Sequence, residues 1–150
     1  MRSGIVVGFV AFLIAACTKS TAPKEPVVLD GSAVIYGKIT STSGIAVPNA
    51  TAIVEFHADT VRIYDVLHCG GALKGSASQQ LDAAGNYRVE VVVAGAAGQK
   101  VCVEVTGDPH GLYSDIGLKK QYAGWITLLN ASGNAAPPEL QVDVKYTETP

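Results

Sequence analysis

Charge, aromatic rings and cysteine are all scarce in this chain. Of 150 residues only 16% are charged and 7% aromatic, with one Trp, three Phe and three Cys. The formal net charge is −2, and no basic run exceeds Lys119-Lys120. The electrostatic footprint of a nucleic-acid binder is therefore missing. No serine sits in a Gly-x-Ser-x-Gly elbow, and no two cysteines have the close spacing of a zinc site. Beyond the first sixteen residues no apolar run approaches spanning length; Val91 to Ala97 is interrupted by Gly95. An apolar period of 3.6 is absent there too, which argues against amphipathic helices.

The apolar residues that do form a run are at the start. Met1-Arg2 gives a short positive beginning, Gly4 to Ile14 is almost wholly apolar, and Ala15-Ala16-Cys17 closes the segment with small residues and a thiol. The apolar stretch is roughly 13 residues, too short for a spanning helix of about 20. A charged start, a short apolar core and a small-residue cleavage site describe a secretory signal. With cysteine directly after the cut, the segment resembles a bacterial lipoprotein signal. That resemblance implies cleavage after residue 16 and acylation of Cys17 with fatty chains such as palmitate. One chain binds a membrane only marginally, whereas two or three hold it. Thr18 stands where an inner-membrane retention signal would place Asp. The expected address is a bacterial cell envelope, on the outer membrane if the cell is Gram-negative, facing the periplasm or the surface.

Residues 17–32, with Pro23 and Pro26 among Lys, Ser and Thr, read as an extended tether. Residues 33–147 have the length of one domain, and 148–150 form a tail. Ala33 to Thr40 is rich in β-formers. Ala50, Ala52, Val54 and Phe56 share one side of a strand, and Val61 to Leu67 reads as another. Tyr87, Val89 and Val91 alternate with Arg88 and Glu90; Val101, Val103 and Val105 alternate with Cys102 and Glu104. Tyr122 to Leu129 is a weaker candidate. Leu140, Val142, Val144 and Tyr146 alternate with Gln141, Asp143 and Lys145. Short strands separated by Gly, Asn and Asp argue for an all-β sandwich or barrel.

Cysteine arithmetic follows from the address. With Cys17 acylated, Cys69 and Cys102 remain as an even pair in a compartment where disulfides persist. Cys102 projects away from the face lined by its valine neighbours, and His68-Cys69-Gly70-Gly71 reads as a flexible loop that reaches it. The expected Cys69–Cys102 bond closes a loop of about 33 residues, worth roughly 3–4 kcal/mol in the chain-entropy model. Free thiols, or a metal site that includes His68, are the competing readings.

Three stretches resemble carboxypeptidase regulatory-like domains. Gly37-Lys38-Ile39 followed by Gly44-Ile45-Ala46-Val47-Pro48-Asn49-Ala50-Thr51-Ala52-Ile53-Val54 is similar to that family's first strand, its Gly-x-Pro turn and its second strand. Asp82-Ala83-Ala84-Gly85-Asn86-Tyr87-Arg88-Val89 is similar to its Asp-x-x-Gly-x-Tyr turn and strand, and Gly98 to Val105 fits the strand that follows. Ala46 and Asn49 depart from the family's proline and glycine, and nothing after Thr106 has a counterpart. The resemblance implies an Ig-like or prealbumin-like β-sandwich of about seven strands. Related sandwiches carry a His-x-His iron site or a terminal Tyr-Arg-Gly-Ser motif, and this chain has neither.

His57, at the end of a strand, and His68 and His110 read as separate, solvent-exposed loop histidines with no spacing that brings them together, and Asp82 as a turn former. No metal, cofactor or catalytic residue is expected. Tyr122 and Trp125 are the candidate recognition residues, since aromatics on an exposed face stack on sugars or anchor proteins; the preferred alternative puts Trp125 in the core. The expectation is a non-enzymatic envelope lipoprotein carrying an interaction or structural module. The alternative is a carbohydrate- or small-ligand-binding lipoprotein. Its partners would be the membrane, through the lipid, and an envelope protein or glycan. Metabolic labelling with a radioactive fatty acid should mark the native chain and miss Cys17→Ser; equal labelling of the two would refute acylation at this thiol.

Overall fold

Alternation of apolar and polar residues builds the two layers of this molecule. The computed structural model describes residues 26–47, 50–108 and 119–146; Cys17, the Pro48-Asn49 turn and His110 lie outside them. All regular structure among the described residues is β: β1 (Gly31–Ser41), β2 (Thr51–Ile63), β3 (Val66–Gln80), β4 (Asn86–Val93), β5 (Lys100–Asp108), β6 (Lys119–Thr127), β7 (Leu129–Asn130), β8 (Glu139–Gln141) and β9 (Val144–Tyr146). One sheet has the order β3-β2-β5-β6. In the other, β4 pairs with one edge of β1, and β7, β8 and β9 pair with β1 in succession. Those three short strands share one edge position, so nine strands fill the seven places expected of the sandwich.

The core lies between the sheets. Ala33, Ile35 and Ile39 of β1 and Tyr87, Val89, Val91 and Val93 of β4 meet Ala52, Val54 and Phe56 of β2 and Val101, Val103 and Val105 of β5. The inward residues of each strand are those the alternation picks out. Two tyrosines bring a polar tip into this core and satisfy it. The Tyr87 hydroxyl donates to the Val142 carbonyl at 2.6 Å, and the Tyr146 hydroxyl donates to the Gly107 carbonyl.

The stretch from Leu140 to Tyr146, which alternates as one strand, is broken in two. At the break, Val142 N donates to the Tyr36 carbonyl at 2.8 Å, and Asp143 Oδ1 accepts from Lys38 N at 2.9 Å. A side-chain carboxylate thus takes the place of a backbone carbonyl where the ladder is interrupted. Gly37 is required here: a Cβ at that position would collide with the Val142 carbonyl.

Asp82 makes the turn expected of it. Its Oδ1 accepts from Ala84 N at 2.9 Å and Asn86 N at 2.8 Å, and Gly85 supplies φ +79°. The tether, by contrast, ends earlier than the composition suggests. The Leu29 carbonyl accepts from Ala97 N, the Asp30 carbonyl accepts from Ala131 N, and β1 starts at Gly31.

Two further expectations are corrected. Val61 to Leu67 is the end of a hairpin rather than a strand: β2 and β3 are joined at Tyr64 and Asp65, both with positive φ (45° and 63°). Cys69 is on strand β3, not in a flexible loop. The low β-propensity of Gly70 to Ser78 hides a strand that exists because β2 pairs with it along its length.

The outer part of this hairpin does not stay in the plane of the sheet. Register shifts fall between Phe56 and His57 and between His57 and Asp59, opposite Gly71 at φ +71°. Beyond that bend β3 touches β5 and β6, although β2 separates it from both in the sheet order. The arm therefore folds across the outer face. The Cys69–Cys102 disulfide fastens it there, with the two Cα atoms 5.6 Å apart. Replacing both Cys69 and Cys102 with Ser should lower the unfolding free energy by about 2–4 kcal/mol and leave the melt cooperative, because the core lies between the sheets and not beneath the arm. Denaturant unfolding measures this; loss of the folded baseline would show that the bond carries more than the arm.

Candidate functional site

Residues of β2, β5 and β6 that do not face the core must face the opposite way, onto the surface that the arm crosses. Register places Glu55 opposite Glu104 and His57 opposite Cys102, then Cys102 opposite Trp125 and Glu104 opposite Tyr122. These six side chains therefore share one face. Cys102, Glu104 and Thr106 are nonetheless buried, so β5 is enclosed on both sides.

Glu104 is the centre of this face. It is 2% exposed, and a carboxylate so enclosed must be paired or hydrogen-bonded. His68, carried by the arm beside Cys69, brings Nδ1 to 3.1 Å from Glu104 Oε1. On β2, His57 Nε2 lies 3.7 Å from Glu55 Oε2. One ligating atom each from Glu55, His57 and Glu104 falls within 4.8 Å of the other two. Both ring nitrogens of His57 are shielded and make no hydrogen bond, and the same holds for Thr106 Oγ1.

The histidines thus differ from the expected picture of separate, solvent-exposed residues. His57 and His68 are on strands and converge on neighbouring carboxylates across the same face. The reason is the bend in the hairpin, which no local spacing announces. Alternation alone does put Glu55, His57, Cys102 and Glu104 on the non-core side of their strands. It cannot say that β2 and β5 are neighbours, or that a third strand folds over them.

The aromatic candidates are also placed. Trp125 is 37% exposed, which corrects the preferred expectation that it fills the core; Ile126, the next residue, does so instead. Lys100 Nζ stands 5.7 Å from the centroid of the indole. Tyr122 is half-buried on the same strand. The arm itself adds aromatic and aliphatic surface that sequence reading missed: Tyr64 is 98% exposed at the turn, with Val61, Ile63 and Val66 exposed around it.

A shallow cleft of about 320 Å³ lies on the other sheet, lined by residues including Tyr36, Lys38, Arg88 and Asp143. Arg88 is 5.8 Å above the Tyr36 ring and pairs with Glu139. That hydrogen bond holds the Glu139 carboxyl below its ordinary range and the guanidinium above its own. Burial, helped by the Asp143 charge, pushes the Tyr87 hydroxyl well above the usual phenol range, so it remains a donor. The cleft is thus lined by groups already engaged with one another, and it is remote from the Trp125 face.

No family model matches the sequence, and comparison with curated proteins returns no match.

The exposed indole of β6 and the histidine that meets the buried Glu104 can be told apart by truncation. Trp125→Ala should cost less than about 1.5 kcal/mol, against the 3–5 kcal/mol typical of a core Trp. His68→Ala, which removes the partner of a buried carboxylate, should cost about 1–3 kcal/mol. Equilibrium unfolding of the two variants gives the comparison, and the reverse order would contradict the assignment of Trp125 to the surface.

Proposed function

We propose that this chain is a lipid-anchored, non-enzymatic interaction module of the bacterial cell envelope, held to the membrane through Cys17 and reaching a protein partner through the β2–β3 arm. The observation that carries the reading is the arm: a hairpin fastened by a disulfide that holds Tyr64 almost wholly in solvent. Exposed apolar groups gathered on one rigid element mark an interaction surface. A tyrosine supplies large contact area at low entropic cost, which is why it recurs at the energetic centres of interfaces. The disulfide suits an oxidising compartment such as the one a lipoprotein signal would lead to. The two-sheet fold is compatible with the carboxypeptidase regulatory-like resemblance of Gly37–Ala50 and Asp82–Val89.

Trp125 favours a second reading, a glycan- or small-ligand-binding lipoprotein, because its ring is on the surface. Against this, Lys100 already stands near the indole.

Photo-crosslinking in the native host discriminates them. A photoreactive amino acid in place of Tyr64 should give a discrete protein adduct, and the same group at exposed Lys145 should give none. Equal or absent adducts at the two positions would overturn the arm as the contact. Adduct formation with purified glycan rather than protein would favour the second reading.

A further inference from the structure

Glu55 and Glu104 are directly opposed across β2 and β5. Like charges at directly opposite positions of an antiparallel pair destabilise it, and here one of the two is buried. His57, two residues along β2 on the same face, has both ring nitrogens shielded from water and free of hydrogen bonds. A shielded imidazole nitrogen that makes no hydrogen bond is costly and calls for an explanation. We propose that Glu55, His57 and Glu104 bind a divalent transition-metal ion of the zinc type, with His68 holding Glu104 in place from outside the ligand shell.

The chemistry of the donors supports the class of ion. Imidazole suits zinc and its neighbours, whereas a site for calcium or magnesium is made of oxygen alone. Two carboxylates and a neutral imidazole balance a doubly charged cation, which removes the repulsion between Glu55 and Glu104. The spacing is close to what coordination needs. Ligands about 2.0–2.1 Å from a tetrahedral zinc lie about 3.3 Å from each other, and His57 Nε2 is 3.7 Å from Glu55 Oε2. All three ligating atoms fall within 4.8 Å, so small side-chain rotations bring them onto one ion.

His68 completes the arrangement. Ligating carboxylates are themselves held by hydrogen bonds from a surrounding layer of groups, and His68 Nδ1 lies 3.1 Å from Glu104 Oε1. Its neighbour Cys69 is tied to Cys102, which pairs with His57 across the sheet. The disulfide and the site are therefore coupled: the bond that fastens the arm also sets His68 against Glu104. This departs from the expectation, read from the sequence, that no metal is bound.

The test uses the oxidised mature protein, stripped with chelator and returned to chelator-free buffer. Titration calorimetry with Zn²⁺ should give one ion per chain, and a hundredfold excess over the dissociation constant should raise the melting temperature by about 10 °C. Ca²⁺ and Mg²⁺ should leave it unmoved. His57→Ala should abolish this binding event, and His68→Ala should keep the stoichiometry with an affinity about 10–100-fold weaker. If His57→Ala does not fold, Glu55→Ala, at a half-exposed position, serves in its place. Absence of saturable Zn²⁺ binding would overturn the proposal. So would binding that is unchanged in His57→Ala or Glu55→Ala, which would place the ion elsewhere.

Discussion

β5 is enclosed from both sides, and the consequences run through the rest of the molecule. Its inward residues, Val101, Val103 and Val105, complete the core. Its outward residues, Cys102, Glu104 and Thr106, would be ordinary solvent-facing positions in a two-layer sandwich. Cys102 and Glu104 are buried where the end of the β2–β3 hairpin bends out of the sheet, with Cys69 bonded to Cys102 and His68 against Glu104. A third, partial layer is created on one face by a single covalent contact. A carboxylate beneath it must then find a partner within the protein. That requirement explains why a histidine accompanies the arm: His68 arrives with Cys69 and meets the buried Glu104 carboxylate.

Much of this architecture can be read from alternation. The inward faces of β2, β4 and β5 follow directly from Ala52-Val54-Phe56, Tyr87-Val89-Val91 and Val101-Val103-Val105. The Asp82 turn was legible because an aspartate three residues before a glycine has a specific hydrogen-bonding use. Both disulfide cysteines were legible by counting. What remained hidden depended on long-range geometry. The arm was misread because its turn is Tyr64-Asp65 rather than Asn-Gly, the usual residues where φ is positive at both central positions. The inner part of β3, with Gly70, Gly71 and Gly75 among serines and alanines, carries no strand signal of its own. The break between β8 and β9 was hidden for the opposite reason: the alternation of Leu140 to Tyr146 continues across it, while Asp143 supplies the missing acceptor and Gly37 the room.

The same distinction applies to the candidate site. Glu55, His57 and Glu104 could be assigned to the non-core side of their strands from sequence alone. Their meeting needed the β2–β5 pairing, and the approach of His68 needed the bend at His57. Histidine–carboxylate convergence of this kind leaves no spacing motif, because each residue comes from a different strand or from distant points of one hairpin. A search for short metal-ligand patterns passes over it.

The turn at the end of the arm adds a last constraint. A non-glycine residue in the left-handed region is uncommon, and Tyr is less suited to it than Asp or Asn. The cost is of order 1–3 kcal/mol for each such residue, and the exposed side chain of Tyr64 recovers none of it by packing within the chain. A glycine there would relieve the strain but would remove the ring. The fold thus maintains a strained turn, and fastens the strand leading from it with a disulfide, around an aromatic group that contributes nothing to its own core. On the proposed reading, in which the arm meets a partner, the disulfide limits how much of the arm's freedom such contact must remove.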